Sequence, residues 1–341
     1  MAVTIRELSQ KCKLSISTVS KALNGYSDIS QTTRDIVMKA AKELGYHPNA
    51  HARALKTKRS YNLGVLFVDD NQSGLTHPFF SYVLESFKKE AEHSGYDVTF
   101  ISHNMGDTEI TYLEHCNQRE VDGACIACID FLAPEVTQLV SSDLPIVTID
   151  HLFNNHTCIQ SNNVEGMRQL VEYAYTKGHR KIAYIHGLKS TVTNTRLGSF
   201  YRTMESLSLH VPEEYVMECE YNDTASVYRE TRKMLCLPNK PTCILIADDF
   251  AALGAYEAVA EMGLRIPDDI SIAGYDGIPM MQRMKPKLTT VRQDTKGLGA
   301  TAARKLVELI EKPKSAIPEI PVLPCTLIAG ETVGDIKTEK K

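Results

Sequence analysis

The chain has 341 residues, 43% of them apolar and 23% charged, which is enough for two or three domains with buried cores. No apolar run reaches the ~18 residues of a membrane span, and Met1-Ala2-Val3-Thr4-Ile5-Arg6 lacks the basic-then-apolar signature of a secretory signal. The net charge is −4, and nine cysteines lie scattered singly through apolar stretches; this fits reduced thiols in a cytoplasmic protein better than a disulfide framework.

The charge is unevenly placed. Residues 1–60 hold eleven Lys and Arg against four Asp and Glu, a balance of +7 that leaves −11 for the remainder. A basic head on an acidic body suits a chain that meets phosphates at one end only.

Ile5, Leu8 and Cys12 fall on one face of a first helix. After a short break at Lys13-Leu14-Ser15, Val19, Ala22 and Leu23 form the apolar face of a second, which Asn24-Gly25 ends. Ser30 is the expected N-cap of a third, with Ile36, Val37, Ala40, Ala41 and Leu44 as its buried stripe and Gly45 as its stop. Three short helices with a tight turn between the first two form a helix-turn-helix unit. With its apolar face inward, the second helix turns Ser17, Ser20, Lys21 and Asn24 outward. Short hydroxyls allow close approach to DNA, and Lys21 can reach guanine O6/N7 or a phosphate. Ile16, three residues before Val19, fits either the core or contact with a thymine methyl. Beyond Pro48, residues 50–56 are helix-prone but too short to hold alone. Leu55 there is an apolar side chain in a basic setting, suited to wedging between base steps; the alternative is a solvated linker.

Thr4-Ile5, Ser17-Thr18-Val19-Ser20, Leu23-Asn24-Gly25, Thr33-Arg34, Leu44-Gly45-Tyr46, Pro48-Asn49 and Ala52-Arg53-Ala54-Leu55 together closely resemble the head of the LacI/GalR family of bacterial transcription regulators. The resemblance implies a helix-turn-helix domain over 1–60 with a hinge helix at about 49–57. It implies a DNA surface drawn from Thr4, Ile16, Ser17, Thr18, Ser20, Lys21, Asn24, Asn49, Ala52, Arg53, Leu55 and Lys56, with Leu55 entering the minor groove of a palindromic operator. Lys13 stands where the family commonly has a turn glycine.

From residue 61 onward, apolar strand runs alternate with helical stretches. Strands are expected at 63–68, 98–101, 123–128 and 145–149, then, after a helix at 164–177, at 181–185, 243–247 and 270–274. Helices are also expected at 79–93 and 251–262. The alternation predicts an α/β body of two doubly wound parallel-sheet subdomains, with ligands bound beyond the carboxyl ends of the strands. Asp150, Asp248, Asp249 and Tyr275-Asp276 stand at such ends. Asp249 reads as an N-cap, because Phe250-Ala251-Ala252-Leu253 follows like a first helical turn. Several carboxylates, one arginine (Arg196) and nearby aromatics suit a neutral, hydroxyl-rich ligand.

The body resembles the same family at Gly178-His179-Arg180-Lys181-Ile182-Ala183, Ala252-Leu253-Gly254-Ala255, Ile266-Pro267-Asp268-Asp269-Ile270-Ser271, Gly274-Tyr275-Asp276 and Leu288-Thr289-Thr290-Val291. It implies a periplasmic-binding-protein-like core over 61–341, used for effector binding and homodimerisation. The N-subdomain would span about 61–161 plus 291–320, and the C-subdomain about 162–290 plus 321–335. It also implies a mono- or disaccharide effector held at His77, Phe79, Asp150, Arg196, Tyr221, Asp248 and Asp276. Two departures are Asn162, where the family usually has Asp, and Ala329-Gly330, which replaces an arginine of the last strand.

Other motifs carry less. Cys125-x-x-Cys128 lies in a strand, where the side chains point to opposite faces as in a packed core. Gly297-x-Gly299-x-x-Ala302 echoes a dinucleotide fingerprint, but polar Gln293-Asp294-Thr295-Lys296 precedes it in place of a strand. Gly187-Leu188-Lys189-Ser190 lacks the upstream glycine of a phosphate loop. The eleven histidines show no metal spacing and no nucleophile–base–acid set stands out, so no metal, cofactor or enzymatic activity is expected. The tail at 337–341 has no leucine heptads. The function expected is a ligand-controlled repressor of carbohydrate-utilisation genes. A sugar-binding receptor, or a sugar-modifying enzyme with Asp150 or Asp276 as base, is the alternative.

Overall fold

In this computed structural model, residues 3–23, 26–46, 59–69 and 73–336 are described. The chain divides into two compact units, 1–61 and 62–341.

The first unit is helical. Helix α1 (Ile5–Cys12) starts at Thr4, whose hydroxyl accepts from the Glu7 N–H while the Glu7 carboxylate accepts from the Thr4 N–H in return. Lys13 ends it in the left-handed region, at φ 55° and ψ 37°, so the turn keeps a glycine-type backbone without a glycine. Ser15 Oγ accepts from the Thr18 N–H at 3.1 Å as α2 (Ile16–Leu23) begins. Ser30 caps α3 (Gln31–Leu44) through the Thr33 N–H, and Gly45 closes it at φ 66°. Leu8, Val19, Ala22, Val37, Ala40 and Ala41 form the core of this unit. Ile36 does not join them. It is 51% exposed, because the burial face of α3 runs through Val37, Ala40 and Ala41.

The second unit contains β1 (Asn62–Phe67), α4 (Phe80–His93), β2 (Asp97–Ile101), a small hairpin of β3 (Asn104–Met105) and β4 (Thr108–Glu109), α5 (Tyr112–Gln118), β5 (Gly123–Ala127), α6 (Pro134–Val140), β6 (Ile146–Ile149) and β7 (Thr157–Ser161). It continues through α7 (Asn163–Thr176), β8 (Ile182–His186), α8 (Thr191–Ser206), β9 (Val216–Glu218), α9 (Thr224–Leu235), β10 (Cys243–Ile246), α10 (Ala252–Glu261), β11 (Ser271–Asp276), β12 (Thr289–Gln293), α11 (Thr295–Glu311), β13 (Val322–Leu323) and β14 (Cys325–Ile328). Two six-stranded sheets result, in the orders β13-β7-β6-β5-β1-β2 and β14-β12-β11-β10-β8-β9. Within these two sheets every pairing among the described residues is parallel except that of β14 on β12. All five residues of β5 are buried, as expected of a strand covered on both faces.

The chain passes between the sheets three times, after Ser161, Gln293 and Leu323. The last two crossings fall about three residues beyond the sequence-based limits. The reason is that β12 pairs with β11 as far as Arg292, and β13 pairs with β7 through Leu323.

Two sequence-based readings need correction. A strand, β12, does precede Gly297-x-Gly299, and Asp294 caps the helix that follows. Gly299 serves close packing: a Cβ there would meet the Val83 carbonyl oxygen at 2.1 Å, so its absence lets α11 lie directly on α4. Cys128 lies one residue past β5 at φ 50°, so it is not an alternating strand neighbour of the buried Cys125.

Candidate functional site

The carboxyl ends of the strands of both sheets face a cleft of about 740 Å³. His77, Phe79, Asp150, Arg196, Tyr221, Asp248 and Asp276 all line it.

Arg196 lies in the second turn of α8, and its residue surface is 3% exposed. Its Nε donates to Asn163 Oδ1 at 2.8 Å and its Nη1 to the Ala247 carbonyl at 3.1 Å. The guanidinium carbon sits over the Tyr275 ring, 3.6 Å from the centroid. Gly166 makes room for that ring, since a Cβ there would lie 2.2 Å from the Tyr275 hydroxyl. Nη2 reaches toward Asp276 Oδ1 at 4.0 Å.

Asp150 and Asp276 both have positive φ, at 63° and 110°. These conformations cost energy for residues with a Cβ and turn the side chains out of the strand ends. The Ser161 N–H donates to Asp150 Oδ1 at 3.3 Å, and Gln293 Nε2 donates to Asp276 Oδ1 at 2.7 Å. Desolvation pushes Asp150 up to about 6 and Asp276 up to about 7, although Arg196 opposes both shifts.

Asp248 and Asp249 behave differently from the sequence reading. Asp248 accepts from the Ala251 N–H at 2.7 Å and the Asn222 N–H at 3.0 Å, so it is the residue that caps the turn before α10. Asp249 is fully buried and accepts from the Ile278 N–H and the Thr290 hydroxyl, at 2.9 and 2.6 Å. It ties the end of β11 to β12 and, among the described residues, caps no helix. Desolvation raises the pKa of both.

Aromatic and histidine side chains complete the walls. Tyr221 fills the space that a Gly187 side chain would need, and its hydroxyl meets Thr193 Oγ1 at 2.9 Å. His77 Nδ1 accepts from the Phe79 and Phe80 N–H groups, and its Nε2 meets the Asn222 side-chain amide at 2.8 Å. Burial lowers the His77 pKa. His151 stacks on Phe131, with centroids 4.3 Å apart and planes 4° apart, and its Nδ1 lies 3.3 Å from Thr191 Oγ1. These two histidines thus join the two sheet halves at separate points of the cleft.

Sequence reasoning missed Asp69, Asp130, Phe131, His151, Lys189, Glu220, Asn222 and Gln293 as lining residues. The strand-end rule that found Asp150 and Asp276 would have found Asp69, Asp130 and Gln293, had it been applied after β1, β5 and β12.

In the first unit, Ile16 is 46% exposed and Ser17 is exposed on α2, so Ile16 is not core. Thr18, Ser20 and Lys21 are partly buried. Lys21 Nζ pairs with Asp28, which raises the lysine pKa and lowers that of the aspartate through their mutual hydrogen bond. Thr4 is exposed and its hydroxyl is engaged as the cap of α1. Asn24, Asn49, Ala52, Arg53, Leu55 and Lys56, and with them the expected hinge helix, lie outside the described residues.

Residues 4–49 match the family described as "Bacterial regulatory proteins, lacI family", and residues 171–333 match a "Periplasmic binding protein-like domain". The chain is 30% identical over 338 residues to the HTH-type transcriptional repressor PurR of Escherichia coli O139:H28 (strain E24377A / ETEC), covering 97% of each. It is similar to the Lac repressor dimer bound to operator and the anti-inducer ONPF, with TM-score 0.77 and 27% identity over 98% of this chain and 100% of that one. A complex of the transcriptional regulator CelR with cellobiose shares the fold at TM-score 0.71 and 23% identity, over 97% of this chain and 99% of that one.

Proposed function

The chain belongs to the lacI family of bacterial regulatory proteins, and from that premise we propose that it is a homodimeric repressor of carbohydrate-utilisation genes, acting in the cytoplasm and controlled by a small saccharide. The observation that carries the reading is a cleft walled by carboxylates, one stacked arginine and aromatic rings, on the same chain as a basic helix-turn-helix head. Hydroxyl pairs suit carboxylate acceptors, and an apolar sugar face suits Phe79, Phe131 or Tyr221. Among the described residues no helix is long and apolar enough to cross a membrane.

In this reading Ile16, Ser17 and Lys21 face base edges. Thr4, Thr18, Ser20, Asn24, Asn49, Ala52, Arg53 and Lys56 hold the backbone or the hinge, and Leu55 enters the minor groove. His77, Phe79, Asp150, Arg196, Tyr221, Asp248 and Asp276 hold or frame the saccharide without turning it over. The bound saccharide changes the angle between the two sheet halves. It shifts operator affinity only by its differential affinity for the two states, typically ~1–3 kcal/mol.

The test is a thermal-shift screen of full-length protein against mono- and disaccharides and their phosphates, followed by operator binding with each hit. A saccharide that raises the melting midpoint and changes operator affinity is expected. Turnover of the bound sugar, or operator binding indifferent to every hit, would refute the reading. Operator binding should also weaken steeply with salt, because a +7 head displaces condensed counterions.

A further inference from the structure

We infer that the saccharide bound in the cleft carries a protonated amine, received by Asp150, Asp276 and the side-chain oxygen of Gln293. The inference rests on the saccharide reading above and narrows it to amino sugars.

Among the described residues, six acids line the cleft (Asp69, Asp130, Asp150, Glu220, Asp248 and Asp276) against the cations Lys189 and Arg196. Lys189, Asp130 and Glu220 are exposed, where water screens them. Of the sheltered acids, two are already engaged at both oxygens. Asp69 accepts from Ser73 and from the Gly74 N–H, and Asp248 from the Asn222 and Ala251 N–H groups. Asp150 and Asp276 differ. Each takes a hydrogen bond at Oδ1 only, so each keeps one oxygen without a hydrogen-bond partner among the described residues.

Arg196 does not balance this pair. Its Nε and Nη1 are committed to Asn163 and the Ala247 carbonyl, and its Nη2 stays 4.0 Å from Asp276, beyond hydrogen-bond length. A single guanidinium therefore faces Asp150, Asp248 and Asp276 together.

Gln293 supplies the independent observation. It is 4% exposed, it lines the cleft, and its Nε2 is committed to Asp276. Its Oε1 is buried with no partner among the described residues. A buried acceptor left this way is costly unless a ligand donor meets it. The unmet groups are thus three acceptors, two of them carboxylate oxygens. An ammonium offers three donors, no acceptor and one positive charge. A hydroxyl offers one donor and no charge, which leaves the excess negative charge in place, and an acidic or phosphorylated sugar would add to it.

The protonation behaviour of the site agrees. Asp276 is held up to about 7 by desolvation, with Asp248 and Asp150 raising it and Arg196 and the Gln293 hydrogen bond opposing; Asp249, Tyr184, Tyr221, Tyr275 and Cys325 are the other titratable neighbours of that network. Binding an ammonium favours the ionised carboxylates, so it releases protons near neutral pH. Binding a neutral sugar does not require that release.

The experiment is calorimetric titration of full-length protein with glucosamine, galactosamine, mannosamine and the glucosamine disaccharide. Each is compared with its N-acetyl and its hydroxyl counterpart in buffers of different ionisation enthalpy, and putrescine serves as an amine that is not a sugar. The expected result is an amino sugar binding about tenfold or more tightly than both counterparts, with proton release and with affinity falling about tenfold from pH 8 to pH 6. A neutral saccharide binding as tightly as its amine, without proton release, overturns the inference and leaves the saccharide reading standing. Putrescine binding to the exclusion of every sugar overturns the saccharide reading instead. Failure of every amine to bind also overturns the inference. The double variant D150N/D276N should lose the preference for the amine; a preference that survives in a variant with native circular dichroism overturns the inference.

Discussion

The guanidinium of Arg196 is stacked on the ring of Tyr275 and pinned at two of its three nitrogens, which leaves Nη2 directed toward the Asp276 side of the cleft. This preorganisation has a direct consequence. Arg196→Ala should abolish the change in operator affinity caused by an effector found in the saccharide screen, while effector-free operator affinity changes by less than about threefold (under ~1 kcal/mol). Titration of labelled operator with and without that effector checks it, and a retained response would remove Arg196 from the site.

The raised carboxylates set a pH dependence. Asp150 at about 6 and Asp276 at about 7 bind protons more tightly in the folded chain than in the unfolded one. Their contribution to stability is therefore fully present below the unfolded carboxylate range and is lost as pH rises through 6 and 7. Against this, burial lowers the pKa of His77, His151 and His179, whose contribution to stability grows as pH rises through the histidine range. The comparison with Asp276→Asn isolates the carboxylate: the melting midpoint of that variant should gain on the effector-free wild type between pH 5 and pH 8. Scanning calorimetry of both proteins across the interval checks it; a difference that stays level with pH would contradict the assignment.

Lys13 occupies the left-handed region that only glycine enters without strain. Lys13→Gly should stabilise the helical unit by about 0.5–1 kcal/mol, less than the full strain because glycine also gains unfolded-state entropy. Denaturant unfolding followed by circular dichroism is the measurement. A lower midpoint would mean that the lysine side chain contributes more than its backbone conformation costs.

Lys21 is held by Asp28. Asp28→Asn frees the lysine charge for a phosphate or a base edge and removes one repelling carboxylate. Operator affinity at low salt should rise, and the slope of log K against log salt should steepen by about one. An unchanged slope would place Lys21 away from the DNA.

Gly299 lies against the backbone of α4 at Val83 and Phe87. Gly299→Ala should force α11 off that helix and destabilise the body by about 1–3 kcal/mol. Chemical denaturation reads the loss, and an unchanged midpoint would show that the contact is slack.

The residues explain how far the sequence could be read. Buried strands such as β5 and β10 were legible because each is a continuous apolar run bounded by polar turns. Asp150 and Asp276 were legible because each follows such a run. β7, β12 and the two-residue β13 were not: β7 and β12 are rich in threonine, serine and glutamine, and each is placed by pairing with distant partners. Gln293 reads in sequence as the start of a polar stretch rather than the end of a strand, although its position at the end of β12 puts it in the cleft. Ile36 was misplaced by helical periodicity, since a stripe of five apolar residues on α3 is wider than the three-residue face that α1 and α2 cover. Asp248 and Asp249 are adjacent in sequence, and only the contacts separate them: Asp248 lines the cleft and also meets the Ala251 N–H, whereas Asp249 meets Ile278 and Thr290.

The three crossings between the sheets also fix when the body can be finished during synthesis. The strands from β1 to β7 leave the ribosome first, but α11, which covers the α4 face at Gly299, emerges only after the whole stretch from α7 to β12. β13, the edge strand of the first sheet, follows later still, and β14 completes the second sheet just after it. Neither half is complete until the last strands emerge, so a chain that stops short of Thr295 presents the uncovered flank of α4 to chaperones and proteases. Such incomplete chains should be removed before they can occupy DNA with a head that no cleft controls.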